Sequence, residues 1–207
     1  MVRLYLSSYQ LGSHPEEFVD LVSGGRAGWV IMNALDGASD QQRRVDDVGR
    51  QINQLAAIGL RARNVDLRDG FESADRPDYV WVRGGNVFTL RMAMARSGFD
   101  AWVSARILQD DVVYAGFSAG PCVLAPSLHG LERCDPTDDA IAAYGEVRFD
   151  GLGILDRPVV PHLDSPGHPE TDLLAAVAAS YDAAGQRYWA LRDGQALVVD
   201  DQGERIV

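Results

Sequence analysis

The sequence predicts an α/β protein: a single-domain, doubly wound, mostly parallel sheet flanked by helices, with a C-terminal hairpin. Three observations predict it. Short β-rich apolar runs alternate with longer stretches of helical periodicity, and strands separated by helices imply right-handed βαβ units. Two glycine-bearing turns, Gly84-Gly85-Asn86 and Gly116-Phe117-Ser118-Ala119-Gly120, each follow a strand and open a helix; such turns sit at the carboxyl edge of an open α/β sheet, where ligands bind. The 207 residues, 46% hydrophobic and 24% charged, suit one domain over residues 1–207. A chain of that length buries about 70% of its unfolded surface without a disulfide or metal to hold it.

The elements follow in order. Val2–Ser7 reads as a first strand, and a helix opens at Pro15 and runs to Val22. Gly28–Ala34 is a second apolar run. Ser39 then caps a long amphipathic helix that reaches Ile58 and closes at Gly59, which suits the left-handed C-terminal position. Arg61–Leu67 is a third strand, with Val65 and Leu67 alternating against polar neighbours, and Tyr79–Val82 a fourth. Val87–Arg96 and Asp100–Leu108 are helical, broken at Gly98, and Val112–Gly116 is the fifth strand. The loop-rich stretch 127–150 receives no assignment. Arg157–His162 reads as a further buried strand and Pro169–Ala184 as a helix. Tyr188–Leu191 and Ala196–Val199 read as a hairpin turning at Asp193-Gly194, a pair of residues suited to such a turn.

Charge and composition exclude several classes. The formal net charge is −11, which repels the phosphate backbone and anionic lipid surfaces, so neither nucleic acid nor membrane is an expected partner. All 19 basic residues are arginine. Without lysine there is no Schiff base and no P-loop. Cys122 and Cys134 form no C-x-x-C or zinc pattern. The run Met1–Leu6 lacks a signal-peptide core and cleavage site, and no apolar stretch approaches the ~20 residues of a membrane span. A cytoplasmic location is expected.

The motif that carries chemistry is Gly116-Phe117-Ser118-Ala119-Gly120. It matches the G-x-S-x-G elbow, in which a tight strand-to-helix turn projects a serine hydroxyl from the sheet edge and the glycines make room. Ser118 is the candidate nucleophile. The amide of Ala119 and one from Gly84-Gly85-Asn86 are candidate donors to a developing oxyanion. Cys122 is a rival nucleophile, but it lies four residues past the turn, where a buried, inert thiol is the simpler reading. A serine also needs a base, and histidine titrates in the right range. Of His14, His129, His162 and His168, His162 is favoured, because it ends a strand at the edge where Ser118 projects. The base in turn needs an acid. Asp135, Asp138, Asp139, Asp164 and Asp193 are all available, and composition does not choose among them.

Taken together these residues resemble the peptidase E (aspartyl dipeptidase) family of serine peptidases. The likeness rests on Gly84-Gly85-Asn86, on the elbow, on Pro161-His162, on Gly167-His168-Pro169-Glu170-Thr171 and on Leu191-Arg192-Asp193-Gly194. It implies a fold similar to class I glutamine amidotransferases and a serine–histidine–acid triad with no metal or cofactor. Carried over, Ser118 is the nucleophile, His162 the base, and Asp193 the acid in place of the family's glutamate. Gly85 and Ala119 supply the oxyanion amides. Two features depart from the resemblance. Asp172 stands where aspartyl dipeptidases have an arginine that pairs the substrate aspartate, and the segment 133–140 lacks the family's Thr-Asn-Asp pattern. Arg83, Arg133 or Arg148 compensates only by reaching the pocket.

The expected function is hydrolysis of a small peptide or related amide through an acyl-enzyme, by a monomer or small homo-oligomer. The alternatives are a catalytically silent binding or regulatory domain, and an amidase or acyltransferase on the same scaffold.

Overall fold

Both faces of the central sheet are covered, which explains why its inner strands read as continuous apolar runs rather than alternating ones. The computed structural model describes residues 1–37, 41–71 and 74–207. In chain order the strands are Leu4–Ser7 (β1), Ala27–Ile31 (β2), Arg61–Asn64 (β3), Tyr79–Val82 (β4), Val113–Phe117 (β5), Val159–Val160 (β6), Trp189–Ala190 (β7), Ala196–Asp200 (β8) and Gly203–Ile206 (β9). The helices are Pro15–Val22 (α1), Gln41–Ala57 (α2), Val87–Ser97 (α3), Phe99–Leu108 (α4), Ala119–Cys122 (α5), Thr137–Tyr144 (α6) and Thr171–Ala183 (α7). The main sheet has seven strands in the order β3-β2-β4-β5-β1-β8-β9. Its first five are mutually parallel, while β8 runs antiparallel to β1 and β9 antiparallel to β8.

Successive side chains of a strand point to opposite faces, and the two faces meet different helices. Leu4 and Leu6 of β1, Val80 and Val82 of β4 and Tyr114 of β5 join one apolar cluster with α3, α4 and α7. Tyr5, Tyr79, Trp81, Val113, Ala115 and Phe117 join the other, beside Phe18 of α1 and Leu55 of α2. Phe18 stacks on Tyr5 at 5.4 Å and on Trp81 at 5.6 Å. On the first face Trp102 of α4 stacks on Trp29 of β2 at 5.1 Å.

The parallel α/β half agrees closely with the pattern of the sequence: Tyr79–Val82 is a strand as expected, Gly98 separates α3 from α4, and Gly59 has a left-handed φ of 81°. The expected cap Ser39 lies outside the described residues. The later half requires corrections. Asp193-Gly194 does form a turn, closed by the Gln195 amide on the Arg192 carbonyl at 2.9 Å, but not a hairpin. Trp189-Ala190 pairs in parallel with Val159-Val160 in a separate two-stranded sheet. The strand expected over Arg157–His162 is therefore only two residues long. The reason is burial: the first four residues of β8 are buried and fill the sheet edge beside β1, whereas Trp189-Ala190 is half-buried to exposed. The actual hairpin is β8–β9, with Asp200 paired to Gly203. The unassigned stretch 127–150 contains a single-turn 3-10 segment, Leu131–Arg133, and α6.

A buried polar network holds the carboxyl ends of β2 and β3 together. Asp36 accepts from Asn33 Nδ2 at 2.7 Å and also from Arg44 and from the Tyr144 hydroxyl of α6. Asp66 accepts from Asn33 Nδ2, Arg44 and Arg68 at 2.9, 2.9 and 2.6 Å. Between Asn33 and Asp36 the Ala34 carbonyl accepts the Asn86 amide at 3.0 Å, so the network braces the glycine turn after β4. Replacing Arg44 by alanine leaves the two carboxylates with Arg68 as the remaining cation among the described residues. Breaking a buried ion pair in this way costs about 3–5 kcal/mol, so Arg44→Ala is expected to lower the urea midpoint accordingly, measured by circular dichroism.

Candidate active site

Strand β5 ends in Phe117, and Ser118 follows with φ 55° and ψ −111°. This left-handed backbone is strained for a residue with a side chain, and such strain survives only where the surroundings over-determine it. Here they do. The Ser118 amide donates to the Ser7 carbonyl at 3.2 Å, the Ser118 carbonyl accepts from Cys122 at 3.2 Å, and the buried Tyr114 hydroxyl donates to the Gly120 carbonyl at 2.8 Å. Both elbow glycines sit against the Val82 carbonyl oxygen at the end of β4: a Cβ would lie 2.4 Å from it at Gly116 and 2.6 Å at Gly120. A Cβ at Gly84 would lie 2.7 Å from that of Ser118, so the glycine turn packs directly on the elbow. The amide hydrogens of Gly85 and Ala119 have no hydrogen-bond partner among the described residues. Asn86 is differently employed. Its amide is bound to Ala34, its Oδ1 caps α3 through Phe88 and Thr89 at 3.0 Å each, and its Nδ2 donates to Pro136.

His162 is buried to 1% exposure. Its Nδ1 lies 2.6 Å from Asp193 Oδ1, so a neutral ring carries its proton on Nδ1 and presents the Nε2 lone pair. The residue has a positive φ of 56°. Its amide donates to Ser8 Oγ at 2.8 Å, and its carbonyl accepts from Thr171 Oγ1 at 2.7 Å. Ser8 Oγ in turn donates to Asp193 Oδ1 at 2.8 Å, and the Asp193 amide is held by Ser165 Oγ at 2.8 Å. Burial pulls the His162 pKa below the ordinary histidine value; the Asp193 carboxylate opposes the shift, and neighbouring His168 adds to it.

Ser118, His162 and Asp193 line one cavity of about 490 Å³ with Tyr9, Arg83, Gly84, Gly85 and Glu170. The Ser118 hydroxyl has no hydrogen bond among the described residues. The other candidates are elsewhere or otherwise engaged. His14 is exposed beside Glu16, and His129 stacks on Phe149. Cys122 is buried, its thiol pushed well up by desolvation. Asp164 pairs with Arg192 on the surface, their side chains 72% and 64% exposed. Asp135 accepts the Val87 amide at 2.8 Å, and burial raises its carboxyl to about 7. Asp138 and Asp139 are exposed on α6, and Asp172, Arg133 and Arg148 are exposed as well. Arg83 does reach the cavity, but its Nε donates to buried Asp47 at 2.6 Å.

Four contributors were not picked out from sequence. Ser8 and Thr171 hold the backbone of His162, Tyr9 sets its ring edge-on against His162, His168 and Phe117, and Glu170 lines the cavity. Only the resemblance around Glu170-Thr171 pointed near any of them; serines and tyrosines that follow a strand carry no signal of their own. His162, His168 and Glu170 also compose, among the described residues, a group with the donor types of a metal site.

This arrangement defines a class: an α/β protein built around a serine in a strand–helix elbow, with a histidine–carboxylate pair in the same cavity. The model of peptidase family S51 matches residues 39–207, and the chain belongs to that family. It is 26% identical over 139 residues to an uncharacterized peptidase of Listeria monocytogenes, covering 65% of each chain. It is 32% identical over 114 residues to peptidase E of Streptomyces coelicolor, covering 54% of this chain and 43% of that one. The chain thus spans less than two thirds of the length of these curated relatives. Its fold is similar to a crystal structure of a Listeria monocytogenes EGD-e protein designated a peptidase E, with TM-score 0.81, 20% identity and coverage of 100% of this chain and 98% of that one. A peptidase from an acI-B1 Actinobacterium gives 0.74 at 17% identity, covering 100% and 87%.

The two close approaches to Val82 have a measurable consequence. Gly116→Ala forces a methyl against a backbone oxygen and is expected to cost ~1–3 kcal/mol. Gly49→Ala, exposed in α2 with nothing near its Cβ position, is expected to gain roughly 0.5–1 kcal/mol. Denaturant midpoints of the two variants check the contrast.

Proposed function

We propose that the chain is a serine-type peptidase that hydrolyses small peptides or related amides through an acyl-enzyme at Ser118. The observation that carries this reading is the 2.6 Å hydrogen bond from His162 Nδ1 to Asp193, in the cavity that Ser118 also lines. It leaves Nε2 as the one basic atom of the ring. On substrate binding the Ser118 hydroxyl and the imidazole close into contact; such bonds often tighten only in the complex. His162 takes the hydroxyl proton as Ser118 attacks the carbonyl carbon. The Gly85 and Ala119 amides then donate to the oxyanion, and His162 passes its proton to the leaving amine. A water, activated by the same histidine, releases the acyl group.

Asp193 keeps the proton on Nδ1 and stabilises the imidazolium that forms. The order serine, histidine, acid along the chain differs from that of α/β-hydrolases, so esterase or lipase chemistry is not the reading preferred. An aspartyl preference is not part of the proposal. The cavity wall carries Glu170, and its arginine, Arg83, is already paired with Asp47.

A fluorophosphonate probe is expected to label wild-type protein at Ser118, located by peptide mapping, and to leave Ser118→Ala unlabelled. Folded wild type that resists the probe would overturn the assignment. Asp193→Asn is expected to lower kcat by ~10³–10⁴-fold, whereas Asp164→Asn, at the surface pair with Arg192, leaves it within a few-fold; equal losses would remove Asp193 from the triad.

The pH dependence has a definite sign. The base works when neutral, and burial lowers its pKa. In metal-free buffer the acid limb of kcat/KM is therefore expected below the ordinary histidine value of about 6.5. It should move lower still in Asp193→Asn, which loses the carboxylate that favours the charged ring.

A further inference from the structure

We propose that the same cavity binds a Zn²⁺-type transition-metal cation through His162, His168 and Glu170, and that the bound cation shuts the enzyme off. One donor atom from each of these residues lies within 4.8 Å of the other two. Two imidazoles and a carboxylate are a donor set that zinc accepts, with the fourth position left to water.

Three features prepare the site. Asp193 already holds His162 Nδ1 at 2.6 Å, the outer hydrogen bond that fixes a metal-binding histidine with its other nitrogen outward. The His168 ring lies face to face with His162, centroids 3.6 Å apart and planes 4° from parallel. A ring nitrogen of each is thus within reach of one cation, which half-buried His168 would meet by tilting out of the stack. The Glu170 carboxylate has no hydrogen bond or ion pair among the described residues, though it lines the cavity. Metal–ligand lengths of about 2.0–2.2 Å require the donors to draw together by roughly 1 Å, which the unpaired Glu170 carboxylate permits; His168 would move with it, giving up the long 3.3 Å bond that its Nδ1 accepts from the Glu170 amide.

Inhibition follows from electron-pair accounting. The Nε2 lone pair that would receive the Ser118 proton is the one donated to the metal, so a metallated ring is no base. This half of the inference rests on the proposed role of His162; metal binding itself does not. Imidazole donors select Zn²⁺, Cu²⁺ or Ni²⁺ over Mg²⁺ and Ca²⁺, which prefer oxygen.

The test separates the two halves. Chelator-stripped Ser118→Ala protein is titrated calorimetrically with ZnCl₂ and, separately, MgCl₂. One equivalent of Zn²⁺ should bind and Mg²⁺ should not. Adding His168→Ala or Glu170→Gln should each weaken the affinity by about 10-fold or more, with thermal melts verifying the fold. Absent stoichiometric binding, binding retained by both variants, or equal binding of Mg²⁺ overturns the site. In wild type, Zn²⁺ should suppress fluorophosphonate labelling of Ser118 and EDTA should restore it. Zinc bound without suppression overturns the inhibition, whereas failure to label even in EDTA strikes the hydrolase reading and leaves the metal site standing.

Discussion

Two consecutive residues at the end of β1 join the halves of the site. The Ser7 carbonyl accepts the Ser118 amide, and Ser8 Oγ sits between the His162 amide and the Asp193 carboxylate, 2.8 Å from each. The elbow comes from β5, the histidine from the segment after β6, and the acid from the turn before β8. None of these is adjacent in sequence, yet each is fixed against the same dipeptide. A hydroxyl can accept from one group while donating to another, and Ser8 uses both capacities. Its loss would leave a buried amide unpaired and the carboxylate without one of its anchors.

Electrostatics around this junction are arranged locally rather than by overall charge. Burial makes the charged form of His162 costly, and the Asp193 carboxylate returns part of that cost. An imidazole balanced this way favours its neutral form, while the carboxylate still eases a charge on the ring. Arg83 lends the cavity little free positive charge, since Asp47 binds it and also pairs with Arg50 at 2.8 Å. Among the described residues, the charged group left without a partner in the wall is the acid Glu170, so the cavity suits a neutral or cationic group better than an anion.

The parallel half of the fold was legible because each signal there is local. Apolar runs such as Tyr79–Val82 have no other stable place than a buried strand, and Gly98 and Gly59 mark breaks through their own backbone freedom. The Gly-x-Ser-x-Gly string is readable for the same reason: its glycines answer a contact with a neighbouring strand. The hairpin expected at Asp193-Gly194 failed because turn chemistry specifies a reversal, not the partner. Ala196–Asp200 gains more by burying its residues beside β1 than by pairing with half-exposed Trp189-Ala190. Which aspartate meets the histidine is beyond unaided residue reasoning: five are alike in the chain, and only the fold sets exposed Asp164 apart from Asp193 at His162. Ser8 left no trace at all, and Thr171 none beyond the motif it shares with the family, because side-chain bonds to a distant backbone have no periodicity.

The position of β1 between β5 and β8 carries a consequence for how the molecule is assembled. Leu4 pairs with Val199 on one side and with Tyr114 on the other, so this strand is made before both of its neighbours and waits for partners that follow much later in the chain. Closing so long a stretch of chain is entropically slow. Until β8 arrives, one edge of β1 offers unpaired backbone groups of the kind that recruit stray strands. The Asp193 turn directly precedes β8 and contacts Ser8 at its other side, so docking that strand and completing the histidine–carboxylate pair are one event. A chain emerging from the ribosome therefore carries Ser118 well before the His162–Asp193 pair that shares its cavity can form.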